Sequence, residues 1–430
     1  MKIDVMTKDK DTKTVVPALR FPEFRDGEGW KIVSLGEVCD VVGGGTPDTK
    51  EDSYWNGDIL WLTPSEVGNR FISDSCRKIT LSGLKNSSAK LLPAGSIVLT
   101  TRATLGEMSI LVTEASTNQG FQSLVPKLGT NKDYIYYLQP IIKEQCLRFS
   151  KGSTFLEVSS TSVKNFKIPF TSNKEQEKVA DCLGSMDDLI SSVADKIETL
   201  KEYKKGLMLQ LFPAEGKTIP AFRFPEFQNA GEWMLLPIKK CNIDILTGYA
   251  FKGTEILEDN DGIPLMRGIN ITEGVVRHNN DIDRFYSGED HTLSKYRLLC
   301  NDLVIAMDGS KVGRNFALIN KQDEGSLLVQ RVARLRADNI DFIMFIYQQI
   351  GSDRFKKYID RINTSSGIPH ISLKQIEDFK IWTTRNDKEF RMVTNCLSSV
   401  DELISTEIAK LDQLKAHKKG LMQQLFPKLQ

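Results

Sequence analysis

The chain of 430 residues lacks most features that would announce catalysis, a metal centre or a membrane anchor. It has no Pro-Pro dipeptide, so the Pro-Pro-aromatic tetrad with which adenine methyltransferases hold a flipped base is missing. Only four histidines occur, none in a recognisable nucleophile setting. Seven cysteines (Cys39, Cys76, Cys146, Cys182, Cys241, Cys300, Cys396) stand singly, without Cys-x-x-Cys or histidines at ligand spacing, which excludes a zinc site and fits free thiols in a reducing compartment. No run of 18 apolar residues occurs, and Met1 to Lys13 is polar and charged, so a soluble, cytoplasmic protein without membrane partners is expected. Two catalytic decoys fail on inspection. Gly216-Lys-Thr218 resembles the end of a phosphate loop, yet the required glycine five residues earlier is Leu211. Pro47-Asp48 could open a nuclease metal site, but no Asp/Glu-x-Lys follows within the next 30 residues to complete it. No catalytic or metal-ligating residue is therefore assigned, and the net charge of +1 leaves nucleic-acid binding to local basic patches.

What the chain does have is internal repetition. Pro17-Ala-Leu-Arg-Phe-Pro-Glu-Phe24 recurs 203 residues later as Pro220-Ala-Phe-Arg-Phe-Pro-Glu-Phe227, and Trp30 or Trp233 follows each copy. Leu183 to Pro213 matches Leu397 to Pro427 at 18 of 31 positions, both ending in Lys-Lys-Gly-Leu-Met-x-Gln-Leu-Phe-Pro. The stretches between these blocks share a plan but diverge in their polar residues. Near-identical helices with divergent domains between them are what a pseudo-twofold scaffold presenting two different recognition surfaces would show.

The repeated blocks read as helices with a heptad seam. In the first, Val179, Leu183, Met186, Ile190, Val193, Ile197, Leu200, Leu207 and Leu211 recur four and three apart; in the second, Val393, Leu397, Val400, Ile404, Leu411, Leu414, Leu421 and Leu425 repeat the stripe. Lys204 and Lys418 fill the same slot in each copy, as register or rim positions, and Glu407 replaces one apolar residue. A stripe this narrow needs a partner helix, so antiparallel pairing is expected, with the domains one helix length, roughly 50 Å, apart.

The expected organisation is a first segment over 1–30, a recognition domain over 31–172, a helix over 173–213, a linker over 214–234, a second recognition domain over 235–384 and a C-terminal helix over 385–430. Both domains read as α+β, with short strands such as Ile59–Leu62, Ser96–Thr100, Asp302–Ala306 and Leu327–Val329 among Gly/Ser/Asn-rich loops. Those loops carry side chains suited to base edges and phosphates. The candidates in the first domain are Lys85, Asn86, Ser88, Lys90, Thr101, Arg102, Thr104, Asn118, Gln119 and Lys151. In the second they are Arg267, Asn270, Ser310, Lys311, Arg314, Gln330, Arg331 and Asn363. Each residue could equally be a turn former, a cap or a solvated charge.

In their order, these motifs resemble the specificity subunits of type I restriction-modification systems over essentially the whole chain. The resemblance is carried by the two Arg-Phe-Pro-Glu-Phe segments, Gly44 to Pro47 with Trp61 to Pro64, Thr100 to Gly106, Thr117 to Phe121, Gly248 to Lys252 and the paired helix ends. It implies a DNA-reading subunit without catalysis of its own, bound to double-stranded DNA, to two modification subunits and to restriction subunits. It also implies that S-adenosylmethionine, ATP and Mg are used by those partners and no cofactor by this chain. A non-enzymatic coiled-coil scaffold and the specificity part of a related type II-like modification system stand as alternatives.

Overall fold

The computed structural model describes residues 14–150, 156–259, 261–288, 292–309, 311–362 and 369–428. It is a mixed α and β protein with two compact units, one formed by residues up to 194 with those from 409 onward, the other by residues 195–408. The division falls inside two continuous 39-residue helices, the central helix Asn173–Leu211 and the C-terminal helix Asp387–Leu425.

In the first unit, a five-stranded sheet orders Cys39–Gly43, Gln122–Pro126, Ile97–Leu99, Met108–Leu111 and Phe71–Ile72. A second sheet places Trp55–Leu62 between Arg77–Ile79 and Ala115–Thr117, and a third joins Thr14–Val15, Trp30–Ser34 and Lys167–Phe170. The second unit orders Asp244–Thr247, Val332–Arg336, Leu303–Ala306 and Phe316–Leu318 in one sheet. Another runs Ile256–Leu257, Phe285–Tyr286, Ile263–Met266 and Leu327–Leu328, and Met234–Pro237 pairs with Lys380–Thr383.

The repeated sequence blocks acquire their meaning here. In the first unit Arg20 donates to both oxygens of Glu175, at 2.7 and 2.9 Å, and to the carbonyls of Gly27 and Glu28. In the second, Arg223 does the same to Glu389 at 2.6 and 3.0 Å and to the carbonyls of Ala230 and Gly231. All four charged side chains are buried, so each Arg-Phe-Pro-Glu-Phe segment is clasped to the first turn of a long helix by a fully paired ion bridge. The same segments also satisfy carbonyls at helix C-termini: Leu19 N donates to Gln424 O and Phe222 N to Gln210 O, each at 2.9 Å.

The Leu-Phe-Pro endings supply aromatic plugs. Phe426 packs against Trp30 and Tyr134 with ring centroids 6.4 and 5.6 Å away, and Phe212 packs against Trp233 and Phe345 at 5.8 and 5.4 Å. Trp and Phe recur in the sequence because the same pocket is built twice.

Within each unit the helix segments run antiparallel. In the first, Val179, Ala180 and Leu183 share a core with Leu425 and Phe426, while Lys418 pairs with Asp187 nearer the middle. In the second, Leu211 and Phe212 meet Val393 and Leu397, while Lys204 pairs with Asp401 at 2.7 Å. Of the seam positions, Val179, Leu183, Val193, Ile197, Leu211, Val393, Leu397, Val400 and Leu425 are buried; Met186, Ile190, Leu200, Leu207, Ile404, Leu411, Leu414 and Leu421 are half-buried. The repeated lysines are register devices: each acidic partner is also held by its own domain, Asp187 by Tyr137 Oη at 2.8 Å and Asp401 by Gln348 Nε2 at 2.8 Å. Glu407, the one acid on the stripe, lies buried and takes Lys196 Nζ at 2.5 Å.

Among the described residues, no helix is long and apolar enough to cross a membrane, and no three His, Cys, Asp or Glu side chains gather as a metal-binding group.

Candidate nucleic-acid interface

In each unit a pair of parallel strands carries candidate loops at its C-terminal end. Parallel strands leave the sheet at the same edge, so segments far apart in sequence emerge side by side. In the first unit the pair is Trp55–Leu62 with Ala115–Thr117, followed by Thr63 to Glu66 and by Asn118 to Gly120. In the second it is Ile263–Met266 with Leu327–Leu328, followed by Arg267 to Asn270 and by Val329 to Arg331.

The first rim is tied together by short hydrogen bonds. Asn118 N donates to Leu62 O at 3.0 Å, and Asn118 Oδ1 accepts from Gly120 N at 2.8 Å, forming the local turn that Asn side chains favour. Gly45 N donates to Thr117 O at 2.8 Å, and Trp61 Nε1 to Gly45 O at 2.9 Å. This approach requires glycine beside it, because a Cβ on Gly44 would lie 1.9 Å from Asn118 O. Thr46 Oγ1 donates to Gln119 Oε1, and Thr101 N to Gly120 O at 2.8 Å.

The segment from Lys85 to Lys90 abuts the same rim, since a Cβ on Gly45 would meet Ser88 Oγ at 2.3 Å. Lys85, Asn86, Ser88, Lys90, Thr104 and Gln119 are exposed there. Asn86 Nδ2 donates to Ser82 O at 3.0 Å, closing the end of a short helix. Thr101 is buried, with Oγ1 donating to Gly120 O at 3.2 Å, so it holds the loop in place. Arg102 is half-exposed and pairs with Glu157 at 2.7 Å.

The second rim uses the same backbone bonds with different side chains. Val329 N donates to Met266 O at 3.1 Å, Tyr249 N to Leu328 O at 2.9 Å, and Met307 N to Arg331 O at 2.9 Å. Gly248 takes the place of Gly44: a Cβ there would lie 2.2 Å from Val329 O. Arg267, Gly268, Ile269, Asp308, Val329, Gln330 and Arg331 line an open cleft of about 310 Å³. Arg331 Nη1 donates to Asp308 Oδ2 at 2.9 Å. Asn270 is buried and donates to Asp283 Oδ1 at 2.9 Å, bracing the Arg267 turn from within. Lys311 and Arg314 are exposed on the loop that begins at Asp308. Lys151, Ser310 and Asn363 lie outside the described residues.

The structure thus gathers most candidates into one rim per unit, and adds residues that sequence reading left off the candidate set. Thr46 positions Gln119 across 73 residues, Glu157 holds Arg102 across 55, and Asp308 holds Arg331 across 23. Such separations carry no periodic signal. Backbone strain does mark both rims: Ala103 at φ +58° and Arg331 at φ +65° are the only described residues other than Asn and Gly in the left-handed region. The rims are rich in donors, include cations and hold no catalytic grouping, an arrangement able to grip phosphates and read base edges.

A family model described as type I restriction modification DNA specificity domain matches residues 27–202. The type I restriction enzyme MjaIX specificity subunit of Methanocaldococcus jannaschii is 32% identical, over 62% of this chain and 64% of that one. The MjaVIII specificity subunit of the same organism is 25% identical over 94% of this chain and 93% of its own. The EcoR124I/EcoR124II specificity subunit of Escherichia coli is 30% identical over 40% of this chain and 44% of its own. The chain therefore spans just under two thirds of the first of these relatives, nearly all of the second and less than half of the third. In fold it is similar to the type I restriction-modification S subunit from M. genitalium, with a TM-score of 0.61, 16% identity and coverage of 97% of this chain and 100% of that one.

Proposed function

We propose that this chain is a type I restriction-modification DNA specificity subunit and that it reads a bipartite, asymmetric DNA target, one half-site per recognition domain. The observation that carries this is the pair of rims built on one backbone plan with different side chains: Thr46, Asn118 and Gly120 in one, Arg267, Asp308 and Arg331 in the other. Different donors at equivalent places select different bases, which makes the two halves unlike.

The subunit is not catalytic by itself. It works in a complex with other restriction-modification subunits and DNA. Two modification subunits that methylate adenine with S-adenosylmethionine, and restriction subunits that use ATP and Mg, would supply the chemistry. The paired helices would fix the unread gap and dock the modification subunits.

The test is to co-express the chain with its modification subunits in a methylation-free host and map methylated adenines by long-read sequencing. A split, non-palindromic motif is expected. A perfect inverted repeat, or no methylation from an assembled complex, contradicts the reading.

Single contacts can be probed in the same complex. Arg102→Ala and Lys311→Ala should each weaken target binding, by about 1–3 kcal/mol where the contact is a bidentate base pairing, and a phosphate contact should instead lower the salt slope by about 1. Wild-type affinity for both variants across a salt series would make these loops structural turns.

A further inference from the structure

The hydrogen bonds of the two rims match residue for residue, and the match singles out one glutamine in each. Asn118 N reaches Leu62 O as Val329 N reaches Met266 O, and Gly120 O accepts from Thr101 as Arg331 O accepts from Met307. Between these anchors Gln119 and Gln330 occupy the same position, and both are exposed. Thr46 Oγ1 fixes the amide orientation of Gln119 by donating to its oxygen, so its NH₂ group points elsewhere. Gln330 has no side-chain hydrogen-bond partner among the described residues and lines the open cleft.

One residue further on, the rims diverge in a compensated way. In the first unit the position is Gly120, where a Cβ would meet Pro64 Cγ at 2.8 Å and Asn118 Oδ1 at 2.9 Å. In the second it is Arg331, and the place of Pro64 is taken by Gly268, whose added Cβ would find nothing nearer than 3.6 Å. Proline and glycine have exchanged for glycine and arginine. The Arg331 side chain is 66% exposed with one amino group held by Asp308, and its strained backbone persists because the surrounding strands hold it.

Resting on the DNA-reading role proposed above, we infer that Gln119 and Gln330 are one reading position used twice, each taking the adenine of an A·T pair in its half-site. Arg331, oriented by Asp308, adds a guanine reading that the first domain lacks. A carboxamide meets the N6 and N7 of adenine with one donor and one acceptor, and a guanidinium meets O6 and N7 of guanine with two donors. The same residue in the same place therefore gives the two halves a common base pair, and the Gly120/Arg331 difference helps to make them distinct.

The experiment maps genome methylation by the assembled complex carrying Gln119→Ala, Gln330→Ala, Gln330→Glu or Arg331→Gly. Gln119→Ala should relax one A·T position in one half, and Gln330→Ala one A·T position in the other, each lowering discrimination there on the order of ten-fold. Arg331→Gly should relax a G·C position in the same half as Gln330. Gln330→Glu keeps the size of the side chain and should shift the preferred base from adenine toward cytosine, since a carboxylate accepts from the cytosine amino group. Unaltered motifs in all four variants, or relaxation by both alanine variants in a single half, overturn the inference. A wild-type complex that methylates no split motif overturns the function proposed above and this inference with it, whereas a methylating wild type with unaltered variants overturns this inference alone.

Discussion

Removing Ile190–Lys196 and Ile404–Lys410 together should abolish methylation of the native motif and create methylation of one with the same half-sites and a shorter gap. The two segments are equivalent in the repeat and each is one heptad, so the apolar stripe continues across both cuts. They take out Lys196 and Glu407 as a pair, leaving no buried carboxylate without its cation. Asp187–Lys418 and Lys204–Asp401 survive, so each unit keeps its own cross-helix register. Seven helical residues rise about 10 Å, which corresponds to about three base pairs of B-DNA. Both rims are untouched and each half-site stays readable. Long-read mapping of methylated adenines gives the answer directly. Full methylation at the original spacing by a folded, assembled variant would show that the helices do not set the gap.

The second large effect is on stability. Glu389→Ala leaves the Arg223 guanidinium buried without its carboxylate, an uncompensated charge that should destabilise the second unit by about 3–5 kcal/mol. Glu175→Ala should do the same to the first unit through Arg20. Replacing both partners, as in Arg223→Met with Glu389→Met, should cost less than either single change, because no charge is then stranded. Denaturant unfolding of the full chain, with hydrogen exchange assigning the loss to one unit, separates these cases. A Glu389→Ala chain within about 1 kcal/mol of wild type would remove the clasp from the account, since that is the range of an exposed pair.

The first clasp also has a pH signature. Burial pushes the Glu175 carboxyl up, but hydrogen bonds from Arg20 and Thr171 and the Arg20 charge outweigh it and hold the group below the usual carboxylate range. A depressed folded-state value contributes stability that is present above the unfolded-state value and lost as pH falls through the folded one. The first unit should therefore loosen on the acid side of the normal carboxylate titration, and this acid sensitivity should shrink in Glu175→Gln.

Much of this protein was legible in its sequence, and for a definable reason. The heptad stripe from Val179 to Leu211, its copy from Val393 to Leu425 and the duplicated Arg-Phe-Pro-Glu-Phe segments are local patterns. Helical periodicity and repetition need no knowledge of what packs where. The strands Ile59–Leu62 and Asp302–Ala306 were likewise readable as short β-branched and apolar runs between turn formers, and the structure places strands at Trp55–Leu62 and Leu303–Ala306.

What only the tertiary structure decided is which side chains meet. Arg20 finds Glu175 across 155 residues and Thr46 finds Gln119 across 73, because helix starts and parallel strand ends bring remote segments to one edge. Thr101 and Asn270 have the same chemistry as exposed DNA contacts, yet burial turns them into braces for the loops. Gln119 and Gln330 sit in segments, Thr117-Asn-Gln-Gly and Leu328-Val-Gln-Arg, too different to align on sequence alone; matched backbone hydrogen bonds equate them. A repeat is written in the chain, but an equivalence between loops is written in the strands that carry them, and strand pairing is a long-range choice that no local pattern encodes.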